Sequence, residues 1–190
     1  MLIKSFYIYK NKKIIKFFSP NYQQHAYAVH YLLSRNEDLK YLKKRLDHKE
    51  DLTIIDVGAN IGFSYLELKN HFRNSKIFCI EPIKENIFYL KKNLKQFNPQ
   101  IINIGCSKIR EKIKVGTPIN ADRDTGMFSK YIDSNSIEIE TDKLDTILDQ
   151  FNLKKIDLIK IDVEGMELST LQGSKKILRV FWTHSLFRNK

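Results

Sequence analysis

The sequence predicts an α/β layered fold with a mainly parallel sheet, and three stretches carry that prediction. A β-forming run, Leu52-Thr53-Ile54-Ile55-Asp56-Val57, meets a turn bracketed by Gly58 and Gly62. Apolar residues then follow at helical spacing: Ile61, Tyr65, Leu68 and Phe72. A second apolar strand, Ile77-Phe78-Cys79-Ile80, closes on an acid, Glu81. A third, over 156–162, carries Lys160 and Asp162, with Glu164 just beyond its end. Strand, turn and helix in this order open a doubly wound sheet and set a helix N-terminus over its carboxyl edge.

Taken in order, residues 2–18 read as a hairpin. Phe6 to Tyr9 form one arm, Asn11-Lys12 the turn, and Ile14 to Phe18 the other. An aromatic-rich helix is expected over 22–33. A second, over Glu37–Leu46, has Leu39, Leu42 and Leu46 on one face and lysines on the other. His25, Tyr27, His30 and Tyr31 either cover a pocket or pack a helix onto the sheet. After the first strand–turn–helix come a strand over 76–81 and a helix over 84–97, which Pro99 stops. A short strand over 101–104 is closed by Gly105. Two alternating segments, 113–115 and 137–139, flank a polar loop over 116–136. That loop contains Asp122, Arg123 and Asp124, and its length suits a lid or a substrate loop. Thr141-Asp142 reads as a cap for a helix carrying Leu144, Ile147, Leu148 and Phe151. The strand over 156–162 then leads into a final helix through Leu178. Residues 1–50 thus form a hairpin and helical cap, and 51–190 the core.

At 190 residues the chain is expected to be one domain with a substantial buried core. Its 42% hydrophobic and 29% charged residues suit a globular protein. The net charge of +11 invites a nucleic-acid reading, but 26 of the 33 basic residues are lysines. Arginine is the richer residue for phosphate forks and base edges, so nucleic acid is not the expected partner. Cys79 and Cys106 fall in or beside strands without a C-x-x-C spacing and read as buried thiols of a reducing compartment. Lysines at 4, 10, 12, 13 and 16 break any signal-peptide core. The uncharged run over 17–34 is too polar to span a membrane, so a cytoplasmic protein is expected.

The loop reads D-x-G-x-N-x-G. Asn60 and Phe63 stand where a dinucleotide fingerprint needs glycine, and no Gly-Lys-Ser/Thr ends it as in a P-loop. A plain strand-to-helix turn and a nucleoside site both remain open. For the latter, a glycine permits positive φ, its missing Cβ lets a ligand come close, and the first-turn N–H groups favour a polar or negative ligand group. Glu81 could accept two hydrogen bonds from a ribose diol. Lys160 and Asp162 point to the same side of their strand, and a lysine in so apolar a segment needs a carboxylate partner.

These residues resemble the FkbM-type methyltransferases. The resemblance rests on Ile55-Asp56-Val57-Gly58-Ala59-Asn60-Ile61-Gly62, on Glu81-Pro82, and above all on Leu158 to Glu167 with Leu171 and Gly173. It covers residues 51–178 and implies a Rossmann-like three-layer sandwich that uses S-adenosylmethionine to methylate hydroxyl groups of sugars, glycans or natural products. By position, Gly58, Ala59, Asn60 and Gly62 would shape the loop under the methionine part, steadied by Asp56. Glu81 with Pro82 would hold the ribose, and Gly105, Cys106 and Ser107 would line the adenine. Lys108 stands where many relatives carry an acid, so backbone or Ser107 contacts would substitute. Lys160, Asp162 and Glu164 would align the incoming hydroxyl and remove its proton. No His or further acid at a telling spacing suggests a metal. The family continues with a buried strand and two more. Here one strand is expected over 179–183 and the closing pair is absent, which suggests a truncated member. The rival readings are an RNA methyltransferase, whose amino-methylating and Pro-Cys motifs are missing, and an inactive remnant.

Overall fold

A computed structural model gives the protein's fold and describes residues 4–10, 13–20, 37–46, 50–116 and 136–186. The chain opens with an antiparallel hairpin, β1 (Lys4–Lys10) and β2 (Lys13–Ser19), in which Lys10 pairs with Lys13. Helix α1 (Glu37–Leu46) follows; Leu39 is buried, and Leu42 and Leu46 pack on the same apolar cluster. Strand β3 (Leu52–Val57), helix α2 (Phe63–His71) and strand β4 (Ser75–Ile80) form the first parallel unit. Ile61, Tyr65, Leu68 and Phe72 are all buried, as their spacing predicts. Helix α3 (Lys84–Asn93) leads to β5 (Gln100–Ile102). Then come β6 (Gly105–Cys106), β7 (Glu111–Val115), β8 (Ile137–Asp142), α4 (Leu144–Asp149), β9 (Leu158–Ile161), α5 (Glu167–Gln172) and α6 (Lys175–Leu186).

The central sheet has the order β5-β4-β3-β9, and every pair in it is parallel. The chain leaves β3 toward β4 and β5, then returns to lay β9 on the other side of β3. Strand order therefore reverses at β3, and the carboxyl tips of β3 and β9 lie side by side, where open α/β sheets form their crevice. The period of two in a strand sorts the core into layers. Ile54, Ile77 and Cys79 face a cluster with Phe17, Leu39, Leu68 and Leu90. Ile55, Val57, Phe78 and Ile80 face Leu144, Ile147 and Ile177. The result is an α/β Rossmann-like arrangement, with α1, α2 and α3 contributing to one apolar layer and α4 and α6 to the other.

A smaller sheet, β6-β8-β7, departs from the parallel plan. Strand β8 runs parallel to β6 and antiparallel to β7, pairing Ile113 with Ile139 and Val115 with Ile137. These are the two alternating segments of the sequence. Their apolar side joins Ile83 and Met166, just beyond the tips of β4 and β9, and so fixes the small sheet at the carboxyl edge of the large one.

Several expectations are corrected. Helix α3 stops at Asn93, followed by a single 3₁₀ turn over Lys95–Phe97 and then Asn98 at φ +45°, so the helix does not reach Phe97. Thr141 and Asp142 end β8 rather than cap α4. The Thr141 hydroxyl donates to the Glu111 carbonyl at 3.1 Å, and strand pairing outcompetes a local cap. The final helix breaks at Gly173-Ser174. Residues 179–183 are helical, not a strand, because α6 is started from outside itself: Asp145 Oδ2 accepts the Lys176 N–H (2.9 Å) and Oδ1 the Ile177 N–H (3.0 Å). Among the described residues no strand follows β9. The expected turn at Asn11-Lys12, the helix over 22–33 with His25, Tyr27, His30 and Tyr31, and loop residues 117–135 with Asp122, Arg123 and Asp124 lie outside the described residues.

Cys79 and Cys106 are free and buried. Burial pushes the Cys79 thiol up, as do Asp56 and Glu81, and pushes that of Cys106 to about 12. Among the described residues no helix is long and apolar enough to cross a membrane.

Candidate active site

Asp56 sits on β3 opposite Lys160 of β9 and is fully buried. One of its oxygens accepts the Ser64 hydroxyl, which ties the strand to the first turn of α2. The other lies 3.2 Å from Lys160 Nζ. Beyond it the backbone turns through positive φ at Gly58 (+81°), Asn60 (+48°) and Gly62 (+103°). The N–H groups of Gly58 and Ala59 both donate to the Ile80 carbonyl, at 3.0 and 3.2 Å, so the loop leans on the tip of β4.

The glycines do not leave room for a ligand in the way their missing Cβ suggests. A Cβ on Gly58 would fall on the Asp162 carbonyl oxygen; one on Gly62 would lie 3.1 Å from Leu90 and 3.2 Å from Leu94. Both glycines let the protein approach itself: the first brings the tips of β3 and β9 together, the second seats α3 under the loop. Their positive φ, by contrast, is as the motif requires.

Glu81 is 3% exposed and holds the other side of the loop. Its Oε2 accepts the Asn60 N–H at 2.9 Å; its Oε1 accepts the Ile83 N–H at 3.0 Å and Asn86 Nδ2 at 3.2 Å. Burial pushes its pKa above the ordinary range, against the pull of those three donors. Pro82 carries the chain into α3, and Asn103 Nδ2 donates to the carbonyls of Glu81 (3.0 Å) and Pro82 (2.8 Å). Asn86 is a site residue that pattern reading missed. A signal existed: asparagines 86 and 93 fall on the buried face of α3, where a polar residue needs a partner.

At the tip of β9, Lys160 Nζ also lies 3.4 Å from Asp162 Oδ2, so one ammonium joins a buried and an open carboxylate. The Asp162 side chain is 53% exposed, and its N–H donates to the Val57 carbonyl at 3.1 Å. Glu164 (φ +47°) and Gly165 (φ +90°) then reverse the chain. Burial raises the Glu164 pKa, with Asp162 and Glu167 adding to the effect. Glu167 pins this turn by accepting the N–H groups of Val163 (3.2 Å) and Gly165 (3.0 Å). Burial would raise its pKa too, but hydrogen bonds from its own backbone and from those of Gly165 and Val163 hold it below the usual range.

Gly105 and Cys106 form β6, and all of 105–107 is buried. The Ser107 hydroxyl is turned to Glu111 Oε1 (3.0 Å) and Ser169 Oγ (3.2 Å), and its N–H donates to the Asp142 carbonyl (2.9 Å). Lys108 presents its N–H to Ser169 Oγ at 3.1 Å. The structure therefore brings Asp56, Gly58, Lys160 and Asp162 together, and Asn60 with Glu81, while the Ser107 side chain serves the small sheet. Asn60 Oδ1 is buried and has no hydrogen-bond partner among the described residues. No group of three or more His, Cys, Asp or Glu among the described residues is placed to hold a metal ion.

The family model for the methyltransferase FkbM domain matches residues 56–186, from the ion-paired Asp56 to the end of α6. The chain belongs to the FkbM methyltransferase family. It is 23% identical over 146 residues to methyltransferase 1 of Beauveria bassiana, covering 65% of this chain and 59% of that protein. It is 24% identical over 154 residues to methyltransferase sdnD of Sordaria araneosa, covering 63% and 59%. The chain thus spans about three-fifths of the length of both curated relatives. Among solved structures it is similar to precorrin-6y C5,15-methyltransferase of Geobacter metallireducens, with 25% identity, a TM-score of 0.29, and coverage of 38% of this chain and 40% of that one. The matched family region holds both acid-bearing tips and leaves out β1, β2 and α1.

Proposed function

We propose that this FkbM methyltransferase takes S-adenosylmethionine as cofactor and methylates a hydroxyl group of a sugar, glycan or other small acceptor. The observation that carries the reading is the pairing of Asn60 and Glu81: a buried acceptor that meets no donor among the described residues, beside a fixed carboxylate, on a loop bent over the crevice. An acceptor-only oxygen such as Asn60 Oδ1 suits the ammonium of an amino-acid group, and the N-terminus of α2 suits its carboxylate. Glu81 keeps lone pairs beyond its three donors for a ribose diol. Asp56, Gly58, Ala59 and Gly62 set the loop, and Pro82 fixes the direction of its neighbour. Main-chain groups of Gly105, Cys106 and Ser107 are the candidates for the adenine side.

The cofactor supplies a methyl group already activated on a sulfonium, so the protein's work is alignment and proton removal. Asp162 is the open carboxylate that receives the acceptor hydroxyl. Lys160 orients it from the side of Asp56. Glu164, whose raised pKa suits a group that exchanges protons, completes the trio. The free buried thiols fit a reducing, cytoplasmic setting. The test is transfer of a radiolabelled methyl group from S-adenosylmethionine to a panel of sugars, phenols and amines. Label on hydroxyl oxygen is the expected result; label confined to amines would overturn the acceptor class.

A further inference from the structure

We propose that Asn93 is a positioning residue that couples the β1–β2 hairpin to the loop over 58–62, so that seating of the hairpin and binding of cofactor favour one another. The proposal rests on the S-adenosylmethionine reading of that loop. Asn93 ends α3 and is buried. Its Nδ2 donates to the Phe18 carbonyl (2.9 Å) and to the Ile61 carbonyl (2.8 Å), and its Oδ1 accepts the Phe18 N–H (2.7 Å). Both amide hydrogens and the oxygen are thus in use. The side chain bonds β2 as another strand's peptide would, and spends its second hydrogen inside the loop, between Asn60 and Gly62.

Ring packing runs along the same path. Phe17 is fully buried and stacks on Phe63 with ring centroids 4.3 Å apart and planes 18° apart; Phe63 directly follows Gly62. Lys92 Nζ lies 4.1 Å from the centroid of the Phe18 ring. One side of the loop is therefore held by Glu81 at Asn60, and the other by Asn93 at Ile61 and by Phe17 at Phe63. Apolar packing alone would not need a buried amide, which is costly unless every group on it is matched. A cofactor that orders the loop must then favour the seated hairpin by the same factor with which the hairpin favours the cofactor.

The experiment uses the full chain and S-adenosylhomocysteine. Hydrogen exchange at the Phe18 amide is followed with and without the ligand, and affinity is measured by calorimetry for the wild type, Asn93→Asp and Phe17→Leu. Asn93→Asp keeps the acceptor for the Phe18 N–H and loses both donations. Expected are slower Phe18 exchange in the liganded wild type, affinity about tenfold weaker in Asn93→Asp with that protection lost, and a smaller loss of affinity in Phe17→Leu. Ligand binding that leaves wild-type Phe18 exchange unchanged would overturn the coupling alone, and this comparison needs no variant to fold. Failure of the wild type to bind the ligand would remove the cofactor reading, and the inference with it.

Discussion

Glu81 at the end of β4 and Asp162 at the end of β9 are carboxylates on the same edge of one sheet, held in opposite ways. Glu81 is 3% exposed and accepts three hydrogen bonds, two of them from backbone N–H groups. Asp162 is 53% exposed and meets the Lys160 ammonium at 3.4 Å. A buried carboxylate surrounded by donors is fixed in place and bears a desolvation cost; it suits recognition of a ligand that does not change. An open carboxylate held by a single ammonium stays accessible to an incoming group. On the proposed function the two tips divide into a binding half and a reacting half, with the Asp56–Lys160 ion pair as the joint between them.

Substitutions can break or sharpen that division. Asp162→Ala is expected to have the largest effect, lowering turnover by about 10²- to 10⁴-fold. Its stability should stay within about 0.5 kcal/mol, as for other open side chains. A large fall in melting temperature would instead place Asp162 on the structural side. Lys160→Met leaves the buried Asp56 without its ammonium and should cost about 3 kcal/mol by urea unfolding. That is the low end for such pairs, because the lysine keeps part of its hydration. Gly58→Ala should cost about 2 kcal/mol or more. It combines a left-handed backbone with a methyl group placed on the Asp162 carbonyl, and it forces the two halves apart.

The smallest expected effect is one of pH. Glu167 has a lowered pKa in the folded protein, so its stabilisation of the 163–165 turn is complete above the ordinary glutamate range. It is lost as pH falls through the lowered value. Urea titrations taken downward from neutral pH should show that loss in the wild type and a flatter profile in Glu167→Gln. Glu81 and Glu164 have the opposite sign. Their raised pKa values mean that the favourable contribution is present below the unfolded value and is lost as pH rises through the folded one.

The sequence makes the glycine loop and Glu81 more legible than the reasons for them. Asp56, the positive-φ glycines and Glu81 stand in one contiguous motif and one strand end, where local chemistry dictates local shape. Lys160 announces its need for a carboxylate from within an apolar strand, and Asp56 and Asp162 both answer it. The alternating segments at 113–115 and 137–139 are legible as such, and the structure pairs them antiparallel in the small sheet. What escaped depends on contacts distant in sequence. The two glycines appear as gaps for a ligand until Asp162, Leu90 and Leu94 fill the space beside them. Asn86 and Asn93 are anonymous polar residues until α3 turns them onto Glu81, Phe18 and Ile61. Val180 to Thr183 are strong β-formers, yet Asp145 of a different helix starts α6 and the helix continues through them.

The most direct test of the division is calorimetric titration of S-adenosylhomocysteine into Glu81→Gln and Asp162→Asn side by side. The account predicts affinity lowered about tenfold or more in the first, which loses a charge-assisted acceptor for the loop, and nearly unchanged in the second. Equal losses in both, or a loss confined to Asp162→Asn, would contradict it.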